Sequence, residues 1–423
     1  MREIIRHTYS VCPVCLKRIP AVHAAYGKDI FIEKTCAEHG DFSTIIWRGF
    51  RDIEAWRGNL PQIAEGENEG CPHMCGLCPE HIQDTCCVLL EVTKRCNLNC
   101  PFCFAEGGTG EDIPFEIIKE RLKGLAVPGQ TLVQLSGGEP TVRNDLPLIV
   151  AAAKEAGCQY VQLNTNGIRL GEDEEYVRSL AEAGLSFVFM QFDGMDDGIY
   201  RALRGKDLLH IKKQAIINCS RNNIGVTLVP TIVPQVNTQD IGNIIRFAVS
   251  QAPDVRGVHF QPVSYFGRIP VLPSDDRRFT LDELLEEIEK QAGSIVPKDS
   301  LLPSRCDHPL CGFHGDYIVM PDKSLNPLHR TNNSPGGMAT AEQNRSFVAR
   351  KWQRPKAEEL ESKSDFDSFD TFLRRIRTHS FTVTAMAFQD AGNLDIERLR
   401  RCSLHVFDDG KFVPFCAYYI THH

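Results

Sequence analysis

The sequence contains no apolar run long enough to cross a lipid bilayer. The longest runs, such as Leu148-Ile149-Val150-Ala151-Ala152-Ala153, fall far short of the about 20 residues that a membrane helix needs. The stretch Met1-Arg2-Glu3-Ile4-Ile5-Arg6-His7 also lacks the apolar core of a signal peptide. We therefore expect a soluble, cytoplasmic protein without a transmembrane segment, and peripheral contact with a membrane is compatible with this expectation.

Blocks of basic residues are missing as well. The net charge is −8, and no run of like charge marks a basic tail. Because nucleic acid is a polyanion, a partner of that kind needs a basic patch, and we expect none here. With 423 residues and 42% hydrophobic content, the chain is instead long enough for two or three domains with a sizeable core.

Cysteine, by contrast, is abundant, with 17 residues in the chain. Without an export signal, metal binding is favoured over a disulfide-stabilised secreted protein. The cysteines also fall into groups along the sequence, as metal ligands do. Cys158 and Cys219 stand outside the groups, and we interpret each as an ordinary buried thiol.

The first group predicts a mononuclear metal site. It consists of two pairs of ligands, each pair separated by two residues and carried on a turn: Cys12, Cys15, Cys36 and His39. A strand at residues 29–34 lies between the pairs. Such a set suits closed, structural coordination of zinc, or of iron as in rubredoxin. In the alternative, His39 is an exposed residue and a more distant cysteine is the fourth ligand.

The second group follows a polar linker at residues 64–70. Its three thiols have the spacing CxxxCxxC among turn residues, at Cys71, Cys75 and Cys78. We interpret this group as an auxiliary iron–sulfur cluster, and a second zinc loop is the alternative. The sequence does not choose the fourth ligand among three candidates, Cys86, Cys87 and His81.

The central group comes directly after an apolar run of strand length at residues 88–92. Cys96, Cys100 and Cys103 repeat the spacing CxxxCxxC, and Phe104 follows them. Three thiolates are one fewer than a [4Fe–4S] cluster normally takes, so one iron would be open to bind a substrate. On spacing alone, a structural zinc loop is the alternative.

The last group consists of two distant pairs, Cys306 with Cys311 and Cys402 with Cys416. Together they would make a complete all-thiolate site if the C-terminal part of the chain folds back. We predict a second, closed auxiliary cluster there. Zinc and unliganded thiols are the alternatives.

Between residues 87 and 292, strand-length apolar runs alternate with amphipathic helical periods. The runs lie at residues 88–92, 131–135, 160–163, 187–192, 225–229 and 257–260. Helical periods occur at residues 146–153 and 241–248, and a last helix opens on the capping box Thr280-Leu281-Asp282-Glu283. Six βα units predict a parallel sheet with helices outside, and because six is short of eight we expect an open, partial (β/α)6 TIM-like barrel.

The chain therefore divides into four predicted parts. These are an N-terminal zinc-binding or rubredoxin-like domain, an auxiliary-cluster segment, the partial barrel and a C-terminal auxiliary-cluster domain. Their predicted bounds are residues 1–63, 64–86, 87–292 and 293–423.

Polar residues follow every predicted strand of the barrel, where the C-terminal strand ends form one mouth that carries the chemistry. They include Gly137-Gly138-Glu139, Asn164, Asn166, Gln191, Asp193 and Gln261. Two glycines at a strand end let a ligand approach bare backbone. The carboxylate of Glu139 can then accept a charged hydrogen bond from an ammonium group.

These motifs resemble those of radical S-adenosylmethionine (SAM) enzymes, in both the CxxxCxxC loop with its aromatic residue and the GGE motif at Gly137-Gly138-Glu139. The resemblance implies that the open iron chelates the methionine amino and carboxylate groups of SAM and that an electron from the cluster cleaves SAM. It implies SAM or substrate contacts for Phe104, through its backbone, and for Asn164, Asn166, Gln191 and Asp193. Arg204 either pairs with the SAM carboxylate or is an exposed residue at a helix start, and we place Gln261 in the same mouth. A low-potential electron donor of the ferredoxin or flavodoxin type is the expected partner.

The order of cysteine groups further resembles the branch that contains archaeal tetraether lipid synthase and the bacterial TrsS proteins. Beyond the four groups, the resemblance rests on Phe388-Gln389-Asp390-Ala391, Asp395-Ile396-Glu397-Arg398, Pro414-Phe415-Cys416 and Val263-Ser264-Tyr265-Phe266-Gly267. It implies three iron–sulfur clusters, one mononuclear site and the joining of lipid chains at unactivated carbons.

We therefore expect a 5′-deoxyadenosyl radical to abstract hydrogen from an inert C–H bond, for carbon–carbon bond formation on a lipid or other hydrophobic substrate. Radical methylation of a small molecule and sulfur insertion are the alternatives. A zinc-rich interaction protein is the alternative of another class. A lipid substrate requires a long apolar channel that opens near Glu139 and Gln191.

Overall fold

A computed structural model describes residues 1–61, 70–73, 76–270, 273–328, 339–355 and 368–421. Cys75 and nearly all of the predicted linker at 64–70 lie outside the described residues. Of the helices in the described part of the chain, none combines the length and the apolar composition needed to cross a membrane.

The N-terminal segment forms an antiparallel sheet of four strands in sequence order. The strands are β1 (Arg2–Val11), β2 (Arg18–Tyr26), β3 (Asp29–Cys36) and β4 (Gly40–Trp47), followed by the short helix α1 (Ile53–Arg57). The strand predicted at residues 29–34 is thereby confirmed as β3. The β1–β2 turn carries Cys12 and Cys15, and the end of β3 with the turn into β4 carries Cys36 and His39.

All six predicted barrel strands are present and lie side by side in a parallel sheet. They are β5 (Cys87–Arg95), β7 (Leu132–Gly137), β8 (Tyr160–Thr165), β9 (Phe187–Gln191), β10 (Gly225–Val229) and β12 (Val255–Pro262). The short strands β6 (Thr109–Asp112) and β11 (Thr231–Ile232) pair with β5 and β12.

Helices connect these strands and bury their apolar stripes against the sheet. They are α2 (Phe115–Leu125), α3 (Leu146–Glu155), α4 (Ile168–Glu172), α5 (Glu174–Glu182), α6 (Asp197–Arg204), α7 (Leu209–Arg221), α8 (Ile241–Ser250) and α9 (Leu281–Ala292). The helical periods at 146–153 and 241–248 are confirmed, as is the capping box that starts α9. Full burial of such aliphatic side chains contributes about 1.5–3 kcal/mol each.

Two further parallel strands, which the sequence analysis did not predict, extend the sheet at its edges. β16 (Ser380–Met386) pairs with β12, and β17 (Leu404–Asp408) pairs with β5. The antiparallel strands β14 (Gly312–Val319) and β18 (Lys411–Pro414) then flank them, and β13 (Leu302–Pro303) and β15 (Leu325–Pro327) pair with β14. The predicted α/β class with a parallel, barrel-like sheet and an N-terminal metal domain is confirmed, now with eight parallel strands side by side in the described part of the chain.

The remaining helices are α10 (Ala341–Trp352), α11 (Ser368–Thr378), α12 (Ile396–Arg400) and α13 (Phe415–Thr421). The N-terminal sheet packs on the segment that leads into α12. Lys34 Nζ donates to the carbonyl oxygen of Ala391 at 2.7 Å, and Ser10 Oγ donates to that of Leu394 at 2.5 Å. Thr8 Oγ1 donates to the Asp395 carboxylate at 2.7 Å. The N-terminal sheet is therefore in direct contact with the C-terminal part of the chain.

Candidate active site

The cysteine loop that follows β5 is held in one shape by backbone and side-chain hydrogen bonds. The Cys96 N–H donates to the carbonyl oxygen of Gly108 at 2.9 Å, which closes the loop at its base. Arg268, from the connection between β12 and α9, donates to Asn99 Oδ1 at 2.5 Å and to the carbonyl oxygens of Cys100 at 3.1 Å and Gly107 at 2.6 Å. The three thiols are thus presented from a rigid loop.

Cys96, Cys100 and Cys103 all face one cavity at the C-terminal ends of the strands. Burial raises the pKa of Cys96 to about 12, and the nearby Glu139 carboxylate and the other thiols add to this shift. Burial also raises the pKa of Cys103. A positively charged metal centre would relieve both costs, because it binds the thiolate form.

The spacing of these thiols distinguishes between two kinds of centre. Among the described residues, the only group of three or more candidate ligands whose atoms all lie within 4.8 Å is the N-terminal one, so the central thiols are spaced more widely than a single ion requires. The donor set therefore fits an iron–sulfur cluster, in which each thiolate binds a different iron.

The Gly137-Gly138 pair allows two backbones to approach closely. A Cβ at Gly137 would lie 2.2 Å from the Thr93 carbonyl oxygen, and one at Gly138 would lie 2.2 Å from that of Arg95. The N–H groups of Gly138 and Glu139 donate to these two oxygens at 2.8 Å each. The two glycines therefore admit the neighbouring strand that leads into the cysteine loop, and their predicted role in admitting a ligand stays a prediction.

Glu139 lies at this junction, with only 2% of its surface exposed. One carboxylate oxygen accepts from the N–H and the hydroxyl of Thr141, at 3.0 and 2.7 Å, and from Thr165 Oγ1 at 2.6 Å. The other accepts from the Asn166 N–H at 2.6 Å. The donors fix a carboxylate at the wall of the cavity that the three thiols share.

Asn166 connects the end of β8 to the cysteine loop and to a buried lysine. Its Nδ2 donates to Asn97 Oδ1 at 2.7 Å, and Lys212 Nζ donates to its carbonyl oxygen and, at 3.3 Å, to Gln191 Oε1. Burial lowers the pKa of Lys212 to about 8. Sequence reasoning missed Lys212, although its spacing from the apolar residues Ala215, Ile216 and Cys219 on α7 placed it on the buried face.

Asp193 and Arg204 form a buried ion pair at the same mouth. Arg204 Nε and Nη2 each donate to a carboxylate oxygen of Asp193 at 2.8 Å, and the Thr231 N–H donates to Asp193 at 3.2 Å. Arg204 is the last residue of α6 and is 6% exposed, so the alternative of an exposed arginine at a helix start is wrong. Arg204 lines the cavity, as do Asn164, Gln191 and Gln261.

The side chain of Phe104 belongs to an aromatic cluster of the C-terminal part. Its ring lies 5.4 Å from that of Phe415 and 4.9 Å from that of Tyr419. Tyr419 Oη donates to the Glu91 carboxylate at 2.7 Å, which ties α13 to β5. The ring is thus engaged in packing.

The cavity has a volume of about 500 Å³ and runs from the cysteine loop into the barrel. Polar residues line its mouth, and aromatic, apolar and further polar residues line the rest of it. The deeper residues include Phe189, Val229, His259, Phe347, Val348 and Trp352. Its volume lies within the range of about 300–1,000 Å³ that is typical of small-molecule sites.

The N-terminal ligands meet as predicted. Cys12 Sγ and Cys36 Sγ lie 3.6 and 3.4 Å from His39 Nδ1, and Cys15 Sγ lies 4.0 Å from Cys36 Sγ. These distances suit one tetrahedral ion without an open position. His39 is exposed but still belongs to the group.

Comparison with known proteins agrees with this arrangement. Residues 90–248 match the radical SAM superfamily, and residues 4–48 match the HMPTM N-terminal zinc ribbon domain. The 7,8-dihydro-6-hydroxymethylpterin dimethyltransferase of Methanocaldococcus jannaschii is 34% identical over 482 aligned positions, which cover 99% of this chain and 94% of that protein. The chain belongs to the radical SAM superfamily.

Two further similarities each cover about half of the chain. The Fe-coproporphyrin III synthase of Methanosarcina barkeri is 32% identical over 57% of this chain and 59% of that protein. The crystal structure of Streptococcus suis SuiB bound to the precursor peptide SuiA has a TM-score of 0.42 and 18% identity, over 50% of this chain and 46% of that one. The prediction of a radical SAM enzyme that uses SAM and a [4Fe–4S] cluster is confirmed, and the zinc-rich interaction protein is the wrong alternative.

One of the other cysteines of this radical SAM enzyme, Cys306, lies beside the start of β5. Cys306 is hydrogen-bonded to Cys86, which raises the pKa of Cys306. Cys86 Sγ lies 3.6 Å from Cys87 Sγ and accepts from Asn344 Nδ2 at 3.3 Å. Cys402 lies close to this start of β5, because Leu404, two residues later, pairs with Cys87. The four-cysteine site predicted for Cys306 therefore stays a prediction.

Cys311, Cys402 and Cys416 share a different neighbourhood. Arg398 Nε donates to Cys311 Sγ at 3.3 Å, and burial raises the pKa of Cys402, with Asp307 and the thiols of Cys416 and Cys311 adding to the shift. Cys71 packs on the apolar cluster that contains Cys416. His81 Nε2 is 2.8 Å from the carbonyl oxygen of Cys402. The auxiliary clusters, including the Cys78 site, stay predictions.

Proposed function

We propose that this radical SAM enzyme forms a carbon–carbon bond at an inert C–H position by transferring the methyl group of SAM to a small, pterin-like heterocycle. In net terms the reaction consumes two SAM molecules and two electrons. One SAM is cleaved to methionine and 5′-deoxyadenosine, which carries the substrate hydrogen, and the second gives its methyl group to the substrate and becomes S-adenosylhomocysteine. The observation that carries the proposal is the cavity of about 500 Å³, whose polar mouth leads to aromatic walls. Similarity over 94% of a pterin dimethyltransferase supports the substrate class.

The residues of the mouth take distinct roles in this proposal. Cys96, Cys100 and Cys103 would hold the cluster, which supplies the electron that cleaves SAM to a 5′-deoxyadenosyl radical. Glu139 accepts a hydrogen bond from the methionine ammonium group, since its carboxylate is fixed on the same cavity wall. The buried ion pair between Asp193 and Arg204 holds the residues at the mouth of the cavity in place, and Arg204 itself lines the cavity.

Further polar groups complete the SAM site in the proposal. Asn164, Gln191 and Gln261, near the ends of β8, β9 and β12, line the cavity and offer amide donors and acceptors. The Phe104 ring packs against Phe415, so the part of Phe104 that contacts the adenine of SAM is its backbone. Gly137 and Gly138 act indirectly, by letting the Glu139 turn pack against the end of β5.

The remaining metal centres are proposed to serve electron transfer and stability. Cys311, Cys402 and Cys416 supply three thiolates of one auxiliary cluster, which the charge of Arg398 stabilises. Cys71, Cys75 and Cys78 supply another, and zinc or iron occupies the N-terminal site. A low-potential donor of the ferredoxin or flavodoxin type supplies the electron.

The test uses protein purified and loaded with iron and sulfide in the absence of oxygen. It is reduced with dithionite and incubated with SAM, labelled with deuterium in its methyl group, and 7,8-dihydro-6-hydroxymethylpterin. We expect 5′-deoxyadenosine, S-adenosylhomocysteine and a pterin that carries the labelled methyl group. C100A should abolish all three products, whereas C158A, a buried thiol outside every group, should retain them. Release of 5′-deoxyadenosine with an unlabelled pterin would contradict methyl transfer.

Carbon–carbon coupling of a lipid is the second candidate, because apolar side chains such as Leu89, Val229 and Val348 line part of the cavity. The same reaction with an archaeal-type isoprenoid lipid in place of the pterin tests it. A product with two chains joined at their methyl ends would favour this candidate, and the absence of any change in lipid mass would exclude it.

A further inference from the structure

On β9 and β12, the residues that face the cavity lie at two levels. Along β12, Gln261 faces the mouth and His259 lies two residues deeper, which is about 6.6 Å along a strand. On β9, Gln191 and Phe189 repeat this arrangement. On these two strands, amide side chains at the mouth are therefore followed, two residues deeper, by the aromatic rings of Phe189 and His259.

His259 is one of the titratable groups that line the cavity, together with His314, Arg305 and Asp307. Its Nδ1 lies 2.8 Å from Thr384 Oγ1, and the Thr384 hydroxyl is also 3.5 Å from the carbonyl oxygen of Val258. Burial lowers the pKa of His259 to about 4, so the ring is neutral at physiological pH. The other ring nitrogen, Nε2, has no hydrogen-bond partner among the described residues, and the remaining accessible surface of the ring faces the cavity. A neutral imidazole held in this way offers one hydrogen-bonding position to a ligand.

Aromatic rings form the walls around this position. The ring of Phe189 lies 5.5 Å from that of His259 and 4.6 Å from that of Trp352. Trp352 Nε1 donates to Thr382 Oγ1 at 3.2 Å, so the indole is fixed and its polar atom is satisfied. Flat rings stack well on such walls, whereas an aliphatic chain would leave the imidazole nitrogen buried without a partner, which is costly.

We propose that the deeper compartment is a ring-binding subsite, in which His259, oriented by Thr384, hydrogen-bonds the edge of a flat heteroaromatic substrate that packs against Phe189 and Trp352. The inference rests on the proposed function, because it assumes that the substrate reaches the cavity beyond SAM. Beyond that function, we assign substrate specificity to His259, which recognises a hydrogen-bonding atom on the edge of the substrate ring.

Binding is measured on the iron-loaded protein without reductant, so that no turnover occurs. The probe is 7,8-dihydro-6-hydroxymethylpterin, and equilibrium dialysis gives its dissociation constant. H259F should weaken binding at least about tenfold, because a buried hydrogen bond to the ligand is lost. H259Q keeps a hydrogen-bonding end and should lose less. H210F, which changes an exposed histidine on α7, is the matched control and should bind as the wild type does.

Each outcome bears on the subsite. An affinity of H259F equal to that of the wild type, or no binding of the pterin by the wild type, would overturn the inference. A protein that binds the pterin through His259 but yields no methylated product would overturn only the proposed function. Methylation with unchanged affinity in both His259 variants would overturn only the subsite.

Discussion

Replacing Gly138 by alanine should separate the Glu139 turn from the strand that leads into the cysteine loop. The new Cβ would lie 2.2 Å from the carbonyl oxygen of Arg95. Because Cβ atoms essentially never approach other atoms within 3.0 Å, one backbone must move by at least 0.8 Å (3.0 minus 2.2). No flexible side chain can absorb this movement, and the 2.8 Å hydrogen bond from the Glu139 N–H to the same oxygen would be strained with it.

A misplacement of about 1 Å in an active site can cost about 100-fold in rate. We therefore expect G138A to form 5′-deoxyadenosine about 100-fold more slowly and to lose on the order of 1–3 kcal/mol of stability. The assay follows 5′-deoxyadenosine by chromatography after reduction, together with iron content and thermal unfolding. G108A is the matched control, because a Cβ in that part of the same loop would meet nothing closer than 3.9 Å.

Two results would refute this reasoning. One is a wild-type rate in G138A with an unchanged iron content, which would mean that the close approach of the two backbones does not position the site. The other is an equal loss in G138A and G108A, which would mean that any added methyl group disturbs the loop.

Four further changes test other parts of the structure. C100S should lose about four irons per chain and all SAM cleavage, and retention of the iron would contradict its assignment. C36S should lose the single N-terminal ion and melt several degrees lower, as metal analysis and thermal unfolding would record. R268A removes three hydrogen bonds to the cysteine loop and should let a chelator strip iron faster than R268K does. Burial lowers the pKa of Lys34 to about 7, so between pH 7 and about 10.5 the unfolded chain binds more protons than the folded one, and stability rises with pH. The free energy of unfolding of the wild type minus that of K34M should therefore increase from pH 7 to 9, and a flat difference would contradict this.

The features that could be predicted from the sequence are those that depend on residues close together in the chain. The six strands and the capping box of α9 follow from local periodicity and from residues three apart. The central cysteine loop and Glu139 follow strands directly, so the parallel sheet brings them together. Local signals of this kind need no knowledge of distant partners.

The features that the sequence did not reveal depend on residues far apart in the chain. β16 pairs with β12, and β17 pairs with β5, although long segments of the chain separate the strands of each pair. Cys306 lies with Cys86 because these segments fold back on the barrel. In the sequence, His259 is an ordinary strand residue. Its aromatic surroundings depend on Trp352, which is far away in the chain and contacts Phe189 beside it.

The placement of β16 and β17 has a consequence for biosynthesis. While the ribosome is still making the segment after β12, both edges of the nascent sheet lack the strands that later cover them. At about 5–20 residues per second, the interval before residue 380 is made lasts on the order of ten seconds, during which unpaired edges can recruit other chains. Chaperone supply during this interval is therefore expected to limit the soluble yield more than the stability of the finished fold does.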